Sequence, residues 1–203
     1  SDTVAVQVSE SAGRERVIDA ARRLGITAPL RPHPSIALGS FEVNLLELTA
    51  AYAHFANGGF QTFPYIIDTA ITKSGTILYE RIAPAPPRVI APRQVAAMND
   101  MLVATIKTGT GRRAAINGQT LAGKTGTSQN WRDAWFIGYS GALVAGVWVG
   151  NDNGTPMNKV TGSGLPAQIW RAFMAGQDNE APLTGFENGA GGSGGLLNWL
   201  FGN

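Results

Sequence analysis

Gly118-Gln119-Thr120-Leu121-Ala122-Gly123-Lys124-Thr125-Gly126-Thr127 is the stretch on which the reading of this chain turns. Its first eight residues match the phosphate-binding pattern G-x-x-x-x-G-K-[ST]. Its last seven, Leu121 to Thr127, read as a β-strand. A phosphate loop needs a buried strand before it and a helix after it, so that backbone N–H groups and the helix dipole converge on the phosphates. Before Gly118 stands Arg112-Arg113-Ala114-Ala115-Ile116-Asn117, a poor buried strand. After Thr125 stands Gly126-Thr127-Ser128-Gln129-Asn130-Trp131, which has no helical period. Both flanks fail the nucleotide reading. On the strand reading, an edge strand here keeps its backbone free to bind an extended peptide by strand addition. Thr125 and Thr127 then project on one side and can bind a carboxylate, Gly126 admits a close approach, and Lys124 adds a positive charge. The plainer alternative is a surface lysine beside two threonines of high strand propensity.

Working outward, Ala134 to Ser140 and Leu143 to Gly150 are two further strands joined at Ser140-Gly141, so they should be antiparallel. Trp135, Ile137 and Tyr139 alternate with Ala134, Phe136 and Gly138, so both faces of this middle strand are apolar. A strand buried on both sides implies helices on each face of the sheet. A closing helix is expected from about Pro166 to Ala175, burying Ile169, Trp170 and Phe173. Upstream, Pro92 to Ile106 reads as a helix with Val95, Met98, Leu102 and Ile106 on its buried face, ended by Gly109-Thr110-Gly111. Before it come the proline linker Pro84, Pro86 and Pro87, and a hairpin of Tyr65 to Thr72 with Thr76 to Arg81 around Ser74-Gly75. A helix starting near Ser40 carries Leu45, Leu48, Tyr52 and Phe55 and stops at Asn57-Gly58-Gly59. Arg31-Pro32-His33-Pro34 reads as an extended connection. The first helix is expected from Gly13 to Leu24, with Gly25 as its stop.

The 203 residues, 44% hydrophobic and 15% charged, suffice for one domain with a real core. A formal charge of +2 gives no basis for a nucleic-acid partner or a polybasic membrane surface. Zero cysteines exclude disulfides, thiolate metal sites and a cysteine nucleophile. No apolar run approaches the ~18 residues of a membrane span, and no signal peptide is present, so any anchor or export signal is expected outside this chain. After Gln177 the composition turns to Gly, Asn and Ser, ending in Leu196, Leu197, Trp199, Leu200 and Phe201. The expected division is therefore 1–176 as domain and 177–203 as a Gly-rich tail.

Longer stretches carry a resemblance. Ala37-Leu38-Gly39-Ser40-Phe41-Glu42-Val43, Leu45 to Tyr52 and Phe55-Ala56-Asn57-Gly58-Gly59 resemble the transpeptidase domains of bifunctional class A penicillin-binding proteins. So do Lys124 to Thr127, Arg132 to Tyr139, Trp148 to Asp152 and Thr161 to Trp170. The resemblance runs in order from about Thr3 to Ala175 and leaves the tail uncovered. It implies an α/β fold of the α+β type, an antiparallel sheet flanked by helices, β-lactamase/transpeptidase-like. It also implies a serine acyl-enzyme chemistry that cross-links peptidoglycan stem peptides and is blocked by β-lactams, with no cofactor and no metal. By the same resemblance, the Thr127 N–H is an oxyanion-hole donor. Lys124 polarises the serine of a second motif and favours the substrate carboxylate, while Thr125, Gly126 and Thr127 bind substrate.

One departure matters most: no serine in this chain has a lysine three positions later, so the S-x-x-K nucleophile is missing. The second motif, S-x-N, survives at best as Ser1-Asp2-Thr3-Val4-Ala5, with Asp2 standing at the asparagine. The expectation is the C-terminal half of a transpeptidase domain, incomplete without its N-terminal half and inactive alone. Its partners would be stem peptides, β-lactams and that missing half, on the periplasmic or extracytoplasmic face of the bacterial inner membrane, held there only through an absent N-terminal anchor. A serine β-lactamase-like hydrolase and a noncatalytic scaffold fragment remain as alternatives. His33 and His54 read as structural or solvent-facing, the five tryptophans as core and strand-packing residues, and Asp133 and Asp152 as turn or capping residues.

Overall fold

A computed structural model describes residues 2–177; Ser1 and the expected Gly-rich tail with its apolar end lie outside the described residues. The elements in chain order are α1 (Asp2–Ala12), α2 (Arg14–Arg23), α3 (Leu45–Ala56), β1 (Thr69–Ile71), β2 (Ile77–Glu80), α4 (Pro92–Lys107), β3 (Ala122–Thr127), β4 (Asp133–Tyr139), β5 (Val144–Gly150) and α5 (Leu165–Ala175). The last three strands form an antiparallel meander in the order β3-β4-β5, while β1 and β2 form a separate hairpin. Among the described residues no strand pairs with the outer edge of β3 or of β5.

The sheet has a helix on each face, as the two-sided apolar pattern of β4 requires. Thr49 and Leu45 of α3 stand directly over Gly146, and Trp170 of α5 stands 2.8 Å from where a Cβ on Gly138 would lie. Gly146 pairs with Ile137, and Ile137 and Gly138 are consecutive, so the two helices cover opposite faces. Tyr139 faces α3 in a cluster with Tyr52, Phe55, Ala122 and Val144, to which α4 adds Leu102 and Val103. Phe136 faces α5 in the other cluster, with Leu121, Ala167, Trp170 and Met174, to which α4 adds Ile106. The Phe136 and Trp170 rings meet at 5.2 Å, and the Trp170 indole N–H donates to the carbonyls of Ala145 and Gly138 at 3.0 and 3.3 Å. The Tyr139 hydroxyl, whose pKa burial pushes up, donates to Asn99 Oδ1 at 2.6 Å.

Four expectations need correction. The N-terminal residues form a helix, α1, that the sequence reading did not anticipate: Val4, Val6 and Val8 alternate like a strand rather than repeating at 3.6. α3 begins at Leu45 instead of near Ser40, because Asn44 is the cap; its Oδ1 accepts the Glu47 N–H at 2.7 Å. Ser40 instead pairs with Ser35 at 2.6 Å, behind a 3-10 turn, Pro34–Leu38, that ends at Gly39 with φ 72°. The hairpin strands are also shorter than expected. Finally, α5 buries Pro166, Ala167, Trp170 and Met174, while Ile169 and Phe173 are 42% and 50% exposed. They share with Leu165 a second apolar stripe, about 100° round the helix from the buried one.

Candidate active site

The backbone register decides what β3 offers. Ser128 N–H donates to the Asp133 carbonyl at 3.0 Å, so the main-chain groups of Ser128 point toward β4. Successive residues of a strand point their N–H and C=O to opposite sides. Those of Lys124 and Gly126 therefore also face β4, whereas the N–H and C=O of Thr125 and Thr127 point out of the open edge. The Thr125 carbonyl on that edge accepts from Lys124 Nζ at 2.8 Å. The Lys124 side chain reaches the surface on the α3 face. The protein around it still partly desolvates the ammonium and holds its pKa below the usual lysine value.

On the opposite face stand the two threonine hydroxyls. Thr125 Oγ1 lies 2.7 Å from Thr110 Oγ1. Thr127 Oγ1 accepts the backbone N–H of Gly162 at 3.0 Å. The loop around Gly162 presses on β3 and β4 so closely that a Cβ there would be driven into the carbonyls of Gly126 and Trp135. Asp133 ties the end of the site together. Its Oδ2 accepts from Ser128 Oγ at 2.9 Å and its Oδ1 from the Trp148 indole N–H at 3.0 Å, while its own N–H donates to Ser128 Oγ at 2.8 Å. Ser128 is thereby committed to structure, and Asp133 has the turn-fixing role its position suggested. Between them Asn130 and Trp131 adopt left-handed φ of 59° and 54°.

The structure gathers Lys124, Thr125, Gly126 and Thr127 at one edge. Asp2 opens α1, which packs on α2 and on the 3-10 turn. Among the described residues no hydrogen bond or ion pair joins Asp2 to β3. His54 is buried: Nδ1 faces the Ala50 carbonyl at 3.1 Å and so carries the proton, and Nε2 accepts the Thr62 N–H at 3.3 Å, a structural role. His33 is exposed and caps the 3-10 turn through Ser35. The described residues contain no group of three or more side chains able to hold a metal. Nor does any helix among them have the length and apolarity to cross a membrane. Lys124 sits inside a strand that continues through Thr127, with no helix following, so the phosphate-loop reading lacks its dipole. Thr110 and Gly162 escape the sequence reading, since both reach the site from distant segments and Gly109-Thr110-Gly111 reads from sequence as a helix stop.

The sequence profile of the penicillin binding protein transpeptidase domain matches residues 31–175. Penicillin-binding protein 1A of Aquifex aeolicus is 37% identical over 187 residues, which are 92% of this chain and 26% of that protein. Among solved structures, PonA1 of Mycobacterium tuberculosis in complex with penicillin V superposes with a TM-score of 0.72 at 26% identity, covering 88% of this chain and 56% of that one. Penicillin-binding protein 1A of Haemophilus influenzae shares the fold at a TM-score of 0.76 and 24% identity, over 95% of this chain and 38% of that one. The chain thus spans about a quarter of the length of the curated relatives it matches.

Proposed function

This chain belongs to the penicillin-binding protein transpeptidase domain family, and on that premise we propose that its β3 strand is the substrate-binding strand of a serine D,D-transpeptidase. The reaction cross-links peptidoglycan stem peptides. A serine of an S-x-x-K motif, supplied by sequence other than these 203 residues, attacks the carbonyl of the penultimate D-alanine. The tetrahedral oxyanion collapses with loss of the terminal D-alanine, whose nitrogen takes up a proton. The acyl-enzyme is then opened by an amine of a neighbouring stem peptide, which forms the new amide and releases the serine. A β-lactam enters the same first step, and its opened ring stays on the serine.

The observation that carries this reading is the register of β3. It aims the Thr127 N–H out of the open edge, where an oxyanion donor is needed; one such donor is worth roughly 2.7–4 kcal/mol of barrier. The same edge can pair with the extended peptide backbone, as in strand addition. On the Thr125–Thr127 face, two hydroxyls stand where the terminal carboxylate of the peptide or of the antibiotic would bind. Lys124 brings its charge to the other side of the strand, and its depressed pKa eases proton exchange with a serine of the second motif. We place the complete protein on the extracytoplasmic face of the membrane, where stem peptides are found. Asp2 as a remnant of the second motif stays a proposal of its own, as does the division of the chain at residue 176.

The test uses a protein that joins this chain to the S-x-x-K serine. Lys124→Ala should lower the acylation rate by a fluorescent penicillin on the order of 10²-fold while the thermal unfolding midpoint moves little. The 203-residue chain alone should form no covalent penicillin adduct by intact mass. Normal acylation by Lys124→Ala, or a stable adduct on a serine of the isolated chain, would reject the assignment.

A further inference from the structure

We propose that Thr110 is a positioning residue that sets the Thr125 hydroxyl for an anionic ligand, as one of two relays along β3. The second relay is the Gly162 N–H behind Thr127. The proposal rests on the reading of β3 as the carboxylate-binding strand.

A backbone N–H only donates, so the 3.0 Å bond from Gly162 occupies an acceptor site of Thr127 Oγ1 and leaves its O–H proton free to be given away. The Thr110–Thr125 pair, at 2.7 Å, can be donated in either direction. A carboxylate against Thr125 settles the direction. The anion only accepts, so the Thr125 proton turns to it and the Thr110 proton turns to the oxygen of Thr125. The chain from Thr110 O–H to Thr125 O–H to carboxylate is then polarised along its length, each bond strengthening the next. Both ligand-facing hydroxyls would be backed by a donor from outside the strand.

Thr110 is placed with care. Gly109 N–H donates to the Ala104 carbonyl at 3.0 Å and Gly111 N–H to the Thr105 carbonyl at 2.9 Å, wrapping the chain tightly around the end of α4. A Cβ on Gly109 would lie 2.8 Å from Thr105 Cα, and one on Gly111 would lie 3.3 Å from the Phe136 ring. Glycines on both sides let the turn press against α4 and the core, and the residue between them delivers its hydroxyl to β3.

The test is kinetic, in the protein that joins this chain to the S-x-x-K serine, with benzylpenicillin and its methyl ester as probes. Thr110→Val should lower the second-order acylation rate by the free acid roughly three- to tenfold and leave the rate with the ester nearly unchanged, and Thr110→Ser should restore the acid rate. Thr125→Val should give a larger loss with the acid, and adding Thr110→Val to it should cost nothing further. Equal loss with acid and ester, failure of serine to rescue, or additive losses in the double variant would each overturn the relay. If Thr125→Val itself spared the acid rate, the carboxylate reading of β3 would fall first. If Thr125→Val were impaired and Thr110→Val were not, only the relay would fall.

Discussion

In β4, the apolar residues Ala134, Phe136, Ile137 and Tyr139 are buried under helices on both faces, whereas in the hairpin Ile71, Ile77, Leu78 and Tyr79 are all exposed. Both regions read as strands from the same kind of sequence, rich in β-branched and aromatic residues. The difference lies in what arrives from elsewhere in the chain. The sheet receives α3, α4 and α5; the hairpin is touched chiefly by its own turns and by a stack of Arg81 on Tyr65 at 3.8 Å. Their glycines differ in the same way. Gly138 and Gly146 are there because a side chain would collide with Trp170 and Thr49 respectively, while Gly75, at φ 86° with nothing within 4 Å, is there for its backbone angle. A strand pattern therefore fixes local shape, and burial is decided by partners distant in sequence.

Three measurements can break or sharpen this contrast. The largest effect is expected at Trp170, fully buried and bonded to two carbonyls. Trp170→Ala should cost about 3–5 kcal/mol in urea unfolding, against no more than about 1 kcal/mol for Leu78→Ala in the hairpin, where the side chain is 70% exposed. Similar losses at the two sites would erase the distinction between regions.

Next come the glycines. Gly138→Ala should cost about 3 kcal/mol, since its Cβ would stand 2.8 Å from Trp170 and 2.9 Å from both Phe136 and the Ala122 carbonyl. Gly75→Ala should cost only about 1–2 kcal/mol, the strain of a left-handed backbone. A reversed order in thermal or chemical unfolding would refute the assignment of one glycine to space and the other to angle.

The smallest effect concerns pH. Burial lowers the Lys124 pKa, so between that value and the ordinary lysine value the unfolded chain holds more protons than the folded one. Stability attributable to Lys124 should therefore rise with pH across that window, the cost of the desolvated charge being fully present below it. Comparing melting temperatures of the wild type and Lys124→Met from about pH 8 to 11 should show the wild type gaining on the variant. Parallel curves would mean that the ammonium is as well solvated in the fold as outside it.

Much of the sheet and of its helices was legible in the sequence, because Ala134 to Tyr139 is apolar on both faces, Ser140-Gly141 marks the turn after it, and α4 carries a clean 3.6 period. The faces of the candidate site strand were legible for a different reason: Lys124 to Thr127 occupy consecutive strand positions, whose sides follow from the two-residue period alone. What escaped was non-local. Asn44 outcompeted Ser40 as the cap through a bond only the folded geometry reveals, and Ile169 could be told from Trp170 only by knowing where the sheet lies. Thr110 and Gly162 meet β3 through tertiary approach: Thr110 sits in what reads as a helix stop, and Gly162, although inside the Thr161–Trp170 stretch that carries the family resemblance, has no local feature that points to β3.

The meander has a consequence for the order in which the molecule assembles. β3, β4 and β5 are sequence neighbours joined by the short connections 128–132 and 140–143, and such hairpins close in microseconds. α5 follows after the single loop 151–164, while α3 must be brought back across the whole hairpin region and α4. Closing the longer loop carries the larger entropic toll, so the Phe136–Trp170 side of the sheet should be sealed before the Tyr139–Tyr52 side. Thr127 of the edge strand then gains its backing from the Gly162 N–H early in folding, and the face beneath Lys124 is the last to be shut from water.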